Sequence, residues 1–355
     1  MPLGSLTDRK SVIVGGMFGI EPLRCRDEHA MPPFVRPDDL LVANARSGLS
    51  LLIEQLQPRT IWLPSFLCPV VFDVARHSNH VEWYAVGLNL APGDEAWTEA
   101  VEAGDLVVVI DYFGFRGSCE FAACCKRRGA FVLEDACQAL LTDGVGEQAD
   151  FVLFSPRKFV GVSDGGILSA RGSVPVNQHC LSSPPQDWLC TAVSAGEGRA
   201  AFDRRGGDKG WFELFQHAEA DAPVGPFAMS EPSRRRLFDG IDFEEVAVRR
   251  RENFAALLEE LPEFAVAPRL DDGVVPLGVP VRLRNRDAVR EFLFAQRIYP
   301  PIHWQLAGTV PRQFAASHQL ASEIMTLPCD QRYDANTMHR MANLVREAGV
   351  PCTDI

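Results

Sequence analysis

Between residues 44 and 170 the apolar positions follow two periods in turn. Leu49, Leu51, Leu52, Ile53 and Leu56 form a helix face, and Asn44 stands where an N-cap would accept the first free N–H groups. Thr60–Pro64 then reads as a short strand, Pro69–His77 as a helix and Val81–Val86 as a strand. Leu106-Val107-Val108-Val109-Ile110-Asp111 is nearly unbroken and β-branched, as expected of a strand covered on both faces. A helix over 118–128 follows, then strands over Ala130–Glu134, Asp150–Phe154 and Gly166–Ala170. Strands interleaved with short helices predict a mostly parallel α/β sheet.

The pattern breaks over 172–210, where Pro175, Pro184, Pro185, Gly196, Gly198, Gly206 and Gly207 predict a loop-rich excursion with short helices. A helical pattern resumes near Trp211. Phe243–Leu261 is a long amphipathic helix closed by Pro262. Beyond it, Val274–Leu283 and helices over 286–296 and 334–348 predict a smaller α+β domain. The division is placed near residue 240, giving a large domain 1–240 and a small C-terminal domain 241–355.

Composition narrows the function classes. A chain of 355 residues suits about two domains at ~150 residues each, and 46% hydrophobic content is that of a globular protein. The net charge of −12 argues against a nucleic-acid surface, which needs clustered Lys and Arg. The one dense basic run, Arg234-Arg235-Arg236, reads as a solvated turn before a helix. The 10 cysteines are too dilute for a disulfide scaffold, and none forms a CxxC pair. Cys119, Cys124 and Cys125 lack a nearby His, so buried thiols are expected there and no metal. No apolar run approaches the ~18–20 residues of a membrane span. Met1-Pro2-Leu3-Gly4-Ser5 resembles an expression remnant and no signal peptide is visible, so a reduced, cytoplasmic protein is expected.

Three features lie just past the carboxyl ends of predicted strands, where α/β sheets place their ligands. Glu134-Asp135-Ala136-Cys137-Gln138-Ala139 follows one strand, and Ser155-Pro156-Arg157-Lys158 with Asp164-Gly165-Gly166 follows the next. The third is the helix start Ala45-Arg46-Ser47-Gly48, whose free N–H groups suit a phosphate. By themselves these residues are ordinary. A Lys after a strand commonly faces solvent, and an Asp before a helix commonly caps it.

In this order, and together with Pro64-Ser65, Asp111-Tyr112-Phe113-Gly114, His303 and Leu327–Tyr333, they resemble the DegT/StrS-type sugar aminotransferases. These are pyridoxal-phosphate (PLP) enzymes of fold type I, and the resemblance runs over most of the chain. It implies PLP as cofactor and Lys158 as the Schiff-base residue that also shuttles protons. It implies Asp135 beside the pyridine nitrogen, and Gln138, one turn on, at the ring hydroxyl. Strand alternation sends the rival Glu134 to the opposite face. Ser155 and the N–H groups of Ala45 and Arg46 would meet the cofactor phosphate, with a charge-assisted bond from the Arg46 side chain. His303, in Tyr299–Trp304, would face the substrate. The donor carboxylate is left to Arg157, Arg116, Arg312 or Arg332.

The chain departs from the family at three places. Asn44-Ala45-Arg46 replaces the usual Ser-Gly-Thr, and Leu153 stands where the phosphate-binding Ser lies five residues before the Lys. Cys68 occupies the position of the stacking aromatic, leaving Phe66 or Phe113 for that role. The resemblance implies an aminotransferase moving an amino group from an amino acid, glutamate, to a keto acceptor that is a nucleotide-linked keto sugar. It also implies a homodimer. Two other readings stay open: a PLP dehydratase or lyase, disfavoured because that type replaces the Lys with His, and a non-catalytic binding or regulatory protein.

Overall fold

The computed structural model describes residues 13–22, 31–77, 80–117, 119–177 and 180–352. Met1–Ser5 and Cys25 lie outside the described residues. The chain passes through strands β1 (Val14–Gly15) and β2 (Leu40–Val42), helix α1 (Ala45–Leu56), strand β3 (Thr60–Pro64) and helix α2 (Pro69–Ala75). Strands β4 (His80–Tyr84) and β5 (Leu106–Ile110), helix α3 (Cys119–Arg127), and strands β6 (Phe131–Asp135), β7 (Phe151–Phe154) and β8 (Gly166–Ala170) follow. Then come helices α4 (Gln186–Arg205), α5 (Gly210–Ala220), α6 (Glu231–Arg235) and α7 (Phe243–Glu260). The chain ends with β9 (Gly278–Arg282), α8 (Arg286–Ala295), β10 (Ile298–Tyr299), α9 (Ala315–Glu323), β11 (Ile324–Pro328) and α10 (Ala335–Ala348).

Seven strands form the main sheet in the order β2-β8-β7-β6-β5-β3-β4. From β4 to β7 the pairings are parallel, and β8 and β2 add two antiparallel pairings at one edge. Every residue of β3, β5 and β7 is buried, which is why Leu106–Ile110 of β5 reads as an unbroken apolar run. The mostly parallel α/β architecture expected from the sequence is the one observed. A second core gathers Phe254 and Leu257 of α7, Val279 and Val281 of β9, Leu327 of β11 and Met338 of α10. Val14 joins it, because β1 pairs in parallel with β10.

Two local details fix the site. Asn44 Oδ1 accepts from the Ser47 N–H at 3.0 Å, so α1 starts where the cap predicted. Gly166, at the start of β8, touches that helix end: a Cβ there would lie 2.5 Å from the Ala45 nitrogen. Only glycine lets the sheet approach the first turn of α1 so closely.

The stretch 172–210 corrects the sequence expectation. It carries α4, a helix of 20 residues, with Gly196 and Gly198 inside it. These glycines serve packing: a Cβ on Gly196 would meet Ile20 Cγ1 at 2.6 Å, and one on Gly198 would meet Trp211 Cβ at 2.8 Å. The lost helix propensity is offset by close contact with the N-terminal segment and with α5. The basic run is likewise not a turn. Arg234 and Arg235 end α6, and Arg236 donates to the Glu21 carbonyl at 3.1 Å. Among the described residues no helix is long and apolar enough to cross a membrane.

Candidate active site

Asp135 ends β6, and its Oδ1 accepts from the Cys137 N–H at 3.0 Å. Alternation along the strand turns Glu134 elsewhere: its Oε2 accepts from the Gly146 N–H at 2.8 Å, and Arg116 lies 4.0 Å from Oε1. There Glu134 neighbours Asp111, whose acid is pushed well above the usual carboxylate range by burial and then by the Glu134 charge. The two acids of the Glu134-Asp135 pair thus serve separate surroundings.

Lys158 ends the short 3₁₀ turn Pro156–Lys158 that follows β7, and its N–H donates to the Ser155 carbonyl at 3.2 Å. It is half-buried and makes no ion pair among the described residues. The turn is gripped from the C-terminal half of the chain. The carbonyl of Phe159 accepts from Gln331 Nε2 at 2.8 Å and from Arg250 Nη2 at 3.1 Å. Arg250 is fully buried, and it also donates to the carbonyls of Pro276 and Leu277.

Cys68, just before α2, links the parts electrostatically. Burial pushes its thiol up, and it feels the charges of Lys158, Asp135 and Arg46. Phe66, two residues earlier, is fully buried with its ring 5.7 Å from Tyr112 and 5.4 Å from Trp304. Phe113, at φ 57°, sets its ring 5.7 Å from His303. Its N–H donates to Gln138 Oε1 at 2.8 Å, which orients the amide of that buried side chain. The other end of the amide, Nε2, is buried without a hydrogen-bond partner among the described residues. Such an orphan donor costs about 1–3 kcal/mol, so an acceptor from outside the protein is expected at this spot.

His303 shares a 2.8 Å hydrogen bond between Nδ1 and Thr326 Oγ1. Burial, helped by the Lys158 charge, pushes its pKa down to about 3, so its imidazole is neutral. Lys158 and His303 stand on the wall of a cavity of about 970 Å³, with Phe18, Trp211, Arg290 and Arg332 among its other walls. Asp135 and Gln138 are not among the cavity's lining residues and are 9% and 2% exposed. Of the arginines considered for a carboxylate, Arg157 and Arg332 reach the cavity but pair with Glu219 and Asp330 at 2.6 and 2.7 Å. Arg116 pairs with Glu147, and Arg312 is exposed.

At the start of α1, the N–H groups of Ala45 and Arg46 have no acceptor among the described residues. The Arg46 side chain turns to α5, where both terminal nitrogens donate to the Glu219 carbonyl at 3.1 Å. Ser155 is buried, and its hydroxyl makes no hydrogen bond among the described residues. The chain thus offers two N–H groups, a hydroxyl, an orphan amide, an amine and a carboxylate, and of these residues Lys158, Asp135 and Arg46 all act electrostatically on Cys68. This donor set fits the phosphate, ring oxygen, aldehyde and pyridine nitrogen of the cofactor that the resemblance implies.

Sequence reasoning passed over Glu219, Arg250 and Trp211. Glu219 and Trp211 belong to the stretch around the hairpin of α4 and α5, and Arg250 sits in the amphipathic helix α7. Gln331 lay within the quoted Leu327–Tyr333 segment but carried no assigned role.

No family model and no curated protein matches the sequence. Solved structures do match in fold. A DegT DnrJ EryC1 StrS aminotransferase from Brucella abortus has 16% identity and a TM-score of 0.62, over 87% of this chain and 85% of that one. The PLP form of Spr1654 from Streptococcus pneumoniae has 12% identity and a TM-score of 0.65, over 88% of each chain. The sugar aminotransferase CalS13 from Micromonospora echinospora has 14% identity and a TM-score of 0.62, over 93% of this chain and 100% of that one. The chain has the fold of the DegT/DnrJ/EryC1/StrS aminotransferases, PLP fold type I.

Proposed function

We propose that the protein is a PLP-dependent aminotransferase that moves an amino group from an amino acid, glutamate by family resemblance, to a nucleotide-linked keto sugar. One observation carries this reading: Asp135 ends β6, Lys158 follows the neighbouring strand β7 and lines a large cavity, and Gln138, three residues past Asp135, keeps an orphaned amide. The likeness of fold to aminotransferases, one of them a PLP form, supports it. When bound, the cofactor supplies an aldehyde and an electron-accepting pyridinium ring.

The chain's own residues do the rest. Asp135 holds a proton at the ring nitrogen, and Gln138 Nε2 donates to the ring oxygen. The N–H groups of Ala45 and Arg46, with Ser155 Oγ, bind the phosphate at a helix N-terminus. Lys158 Nζ, which makes no ion pair among the described residues, takes the proton from the substrate carbon as the neutral amine and returns it at the neighbouring atom. Neutral His303 contributes a hydrogen-bonding imidazole to the substrate side without adding charge. The aromatic that stacks on the ring is Phe66 or Phe113. A homodimer belongs to the same proposal and is read by sedimentation.

The test is borohydride reduction of the PLP-loaded protein, followed by peptide mapping. An adduct on Lys158 that is lost in Lys158→Ala supports the proposal. An adduct that persists in Lys158→Ala overturns the assignment. Conversion of the loaded protein to its pyridoxamine form by glutamate separates transamination from dehydration.

A further inference from the structure

Glu219, the next-to-last residue of α5, brings a carboxylate to the N-terminal end of α1. Its Oε1 accepts from Arg157 Nη1 at 2.6 Å, and its Oε2 lies 3.4 Å from Arg46 Nη2. Four residues on, the chain is tied to the same helix end. The Pro223 carbonyl accepts from Asn44 Nδ2 at 2.7 Å and from Ser47 Oγ at 3.2 Å. Residues 219–223 thus form a strap across the first turn of α1. Burial pushes the Glu219 carboxyl up, but Arg157, Arg46 and Lys158 outweigh it and hold the acid below its usual range.

The strap lies across the first turn of α1, where the proposed function puts a phosphate. A phosphate there and the Glu219 carboxylate call on the same Arg46 and Arg157 hydrogens, and two anions so close repel each other.

We infer that Glu219 is an internal competitor for the cofactor phosphate: the incoming phosphate takes over Arg46 and Arg157 and releases the 219–223 strap. This rests on the proposed function for the location of the phosphate, and deepens it by joining cofactor loading to movement of the α4–α5 hairpin. The hairpin carries Lys209 and Trp211 of the cavity wall. Loading the cofactor therefore resets the wall that meets the substrate. Because Arg157 directly precedes Lys158, the same exchange reaches the catalytic turn.

The test uses the full chain stripped of cofactor, with inorganic phosphate and then PLP as probes. Amide hydrogen exchange over 216–224 and phosphate affinity are the readouts. In the wild type, phosphate speeds exchange of the strap. Glu219→Gln exchanges fast before phosphate is added and binds phosphate about tenfold more tightly, as expected for removing one charged rival. Glu219→Asp, which keeps the charge, stays within about threefold of the wild type on the same ground. Phosphate that slows exchange, or Glu219→Gln binding no more tightly than wild type, overturns the inference. An aspartate variant as tight as the glutamine variant also overturns it. If phosphate shows the Glu219 effect but PLP leaves no reducible adduct on Lys158, the proposed function fails and the competition stands. A normal Lys158 adduct without a Glu219 effect overturns the competition alone.

Discussion

Arg250 donates from Nη2 to the carbonyl oxygen of Phe159 at 3.1 Å, and Phe159 directly follows Lys158. A helix of the C-terminal half thereby holds the backbone of the turn that carries the proposed nucleophile. The guanidinium also lies 4.4 Å over the Phe159 ring, and Gln331 Nε2 shares the same carbonyl at 2.8 Å. Arg250 and Gln331 are positioning residues, acting on Lys158 through Phe159.

Gln331→Leu tests this without removing the buried Arg250 itself. It removes one donor from a carbonyl that Arg250 still serves and the acceptor of the 3.1 Å bond from Arg250 Nε, so the stability loss is ~2–4 kcal/mol in urea unfolding. The pH dependence of borohydride trapping at Lys158 is expected to shift, because the turn presenting its amine is held less firmly. A purely structural glutamine would lower stability and leave that pH profile unmoved.

His303 gives a pH signature. Its pKa is about 3 in the folded protein against 6.5 as the ordinary value, so the unfolded chain binds a proton that the folded chain refuses. Stability is therefore unaffected above about 6.5 and falls as pH drops towards 3. The slope from this residue is at most ~1.4 kcal/mol per pH unit. His303→Asn keeps a polar group for Thr326 and removes the titration. Urea unfolding at pH 7 and pH 5 is expected to differ less in the variant than in the wild type.

Gly198 separates two opposed effects. Alanine in a helix interior is favoured over glycine by ~1 kcal/mol, but a Cβ here would stand 2.8 Å from Trp211 Cβ. Overpacking against a neighbouring helix costs ~1–3 kcal/mol, so Gly198→Ala is expected to lower the unfolding midpoint despite the better propensity. An unchanged or raised midpoint would show that α5 yields freely.

That glycine also shows how far the sequence could be read. The buried strands were legible because residues covered on both faces leave unbroken β-branched runs, as Leu106–Ile110 does. Asp135 and Lys158 stand out at strand ends, where such sheets place their ligands, but their roles come from the family resemblance. Helix α4 was not, since Gly196 and Gly198 break a local pattern for the sake of contacts with Ile20 and Trp211. Glu219 was hidden for a related reason. It lies 62 positions from Arg157 along the chain, and nothing local marks an acid whose partners arrive only with the tertiary fold. Arg250 looked like one more cation on an amphipathic helix. Its burial follows from carbonyls of Phe159, Pro276 and Leu277 that converge from two other segments.

Gln138 offers the sharpest separation of binding from folding. Its Oε1 satisfies the Phe113 N–H, while its Nε2 has no partner among the described residues. Gln138→Glu preserves the acceptor and replaces the orphan donor with an oxygen. The Phe113 contact survives, so the thermal midpoint should move little at a pH where the acid is protonated. Near neutral pH the new carboxylate would face the ring oxygen of the cofactor, exchanging an attraction for a repulsion. PLP affinity is expected to fall at least tenfold, or about 1.4 kcal/mol, in a fluorescence titration. Gln138→Leu serves as the comparison: it removes the acceptor for the Phe113 N–H and should cost stability as well as affinity. Equal PLP affinity in wild type and Gln138→Glu would remove the amide from the cofactor site.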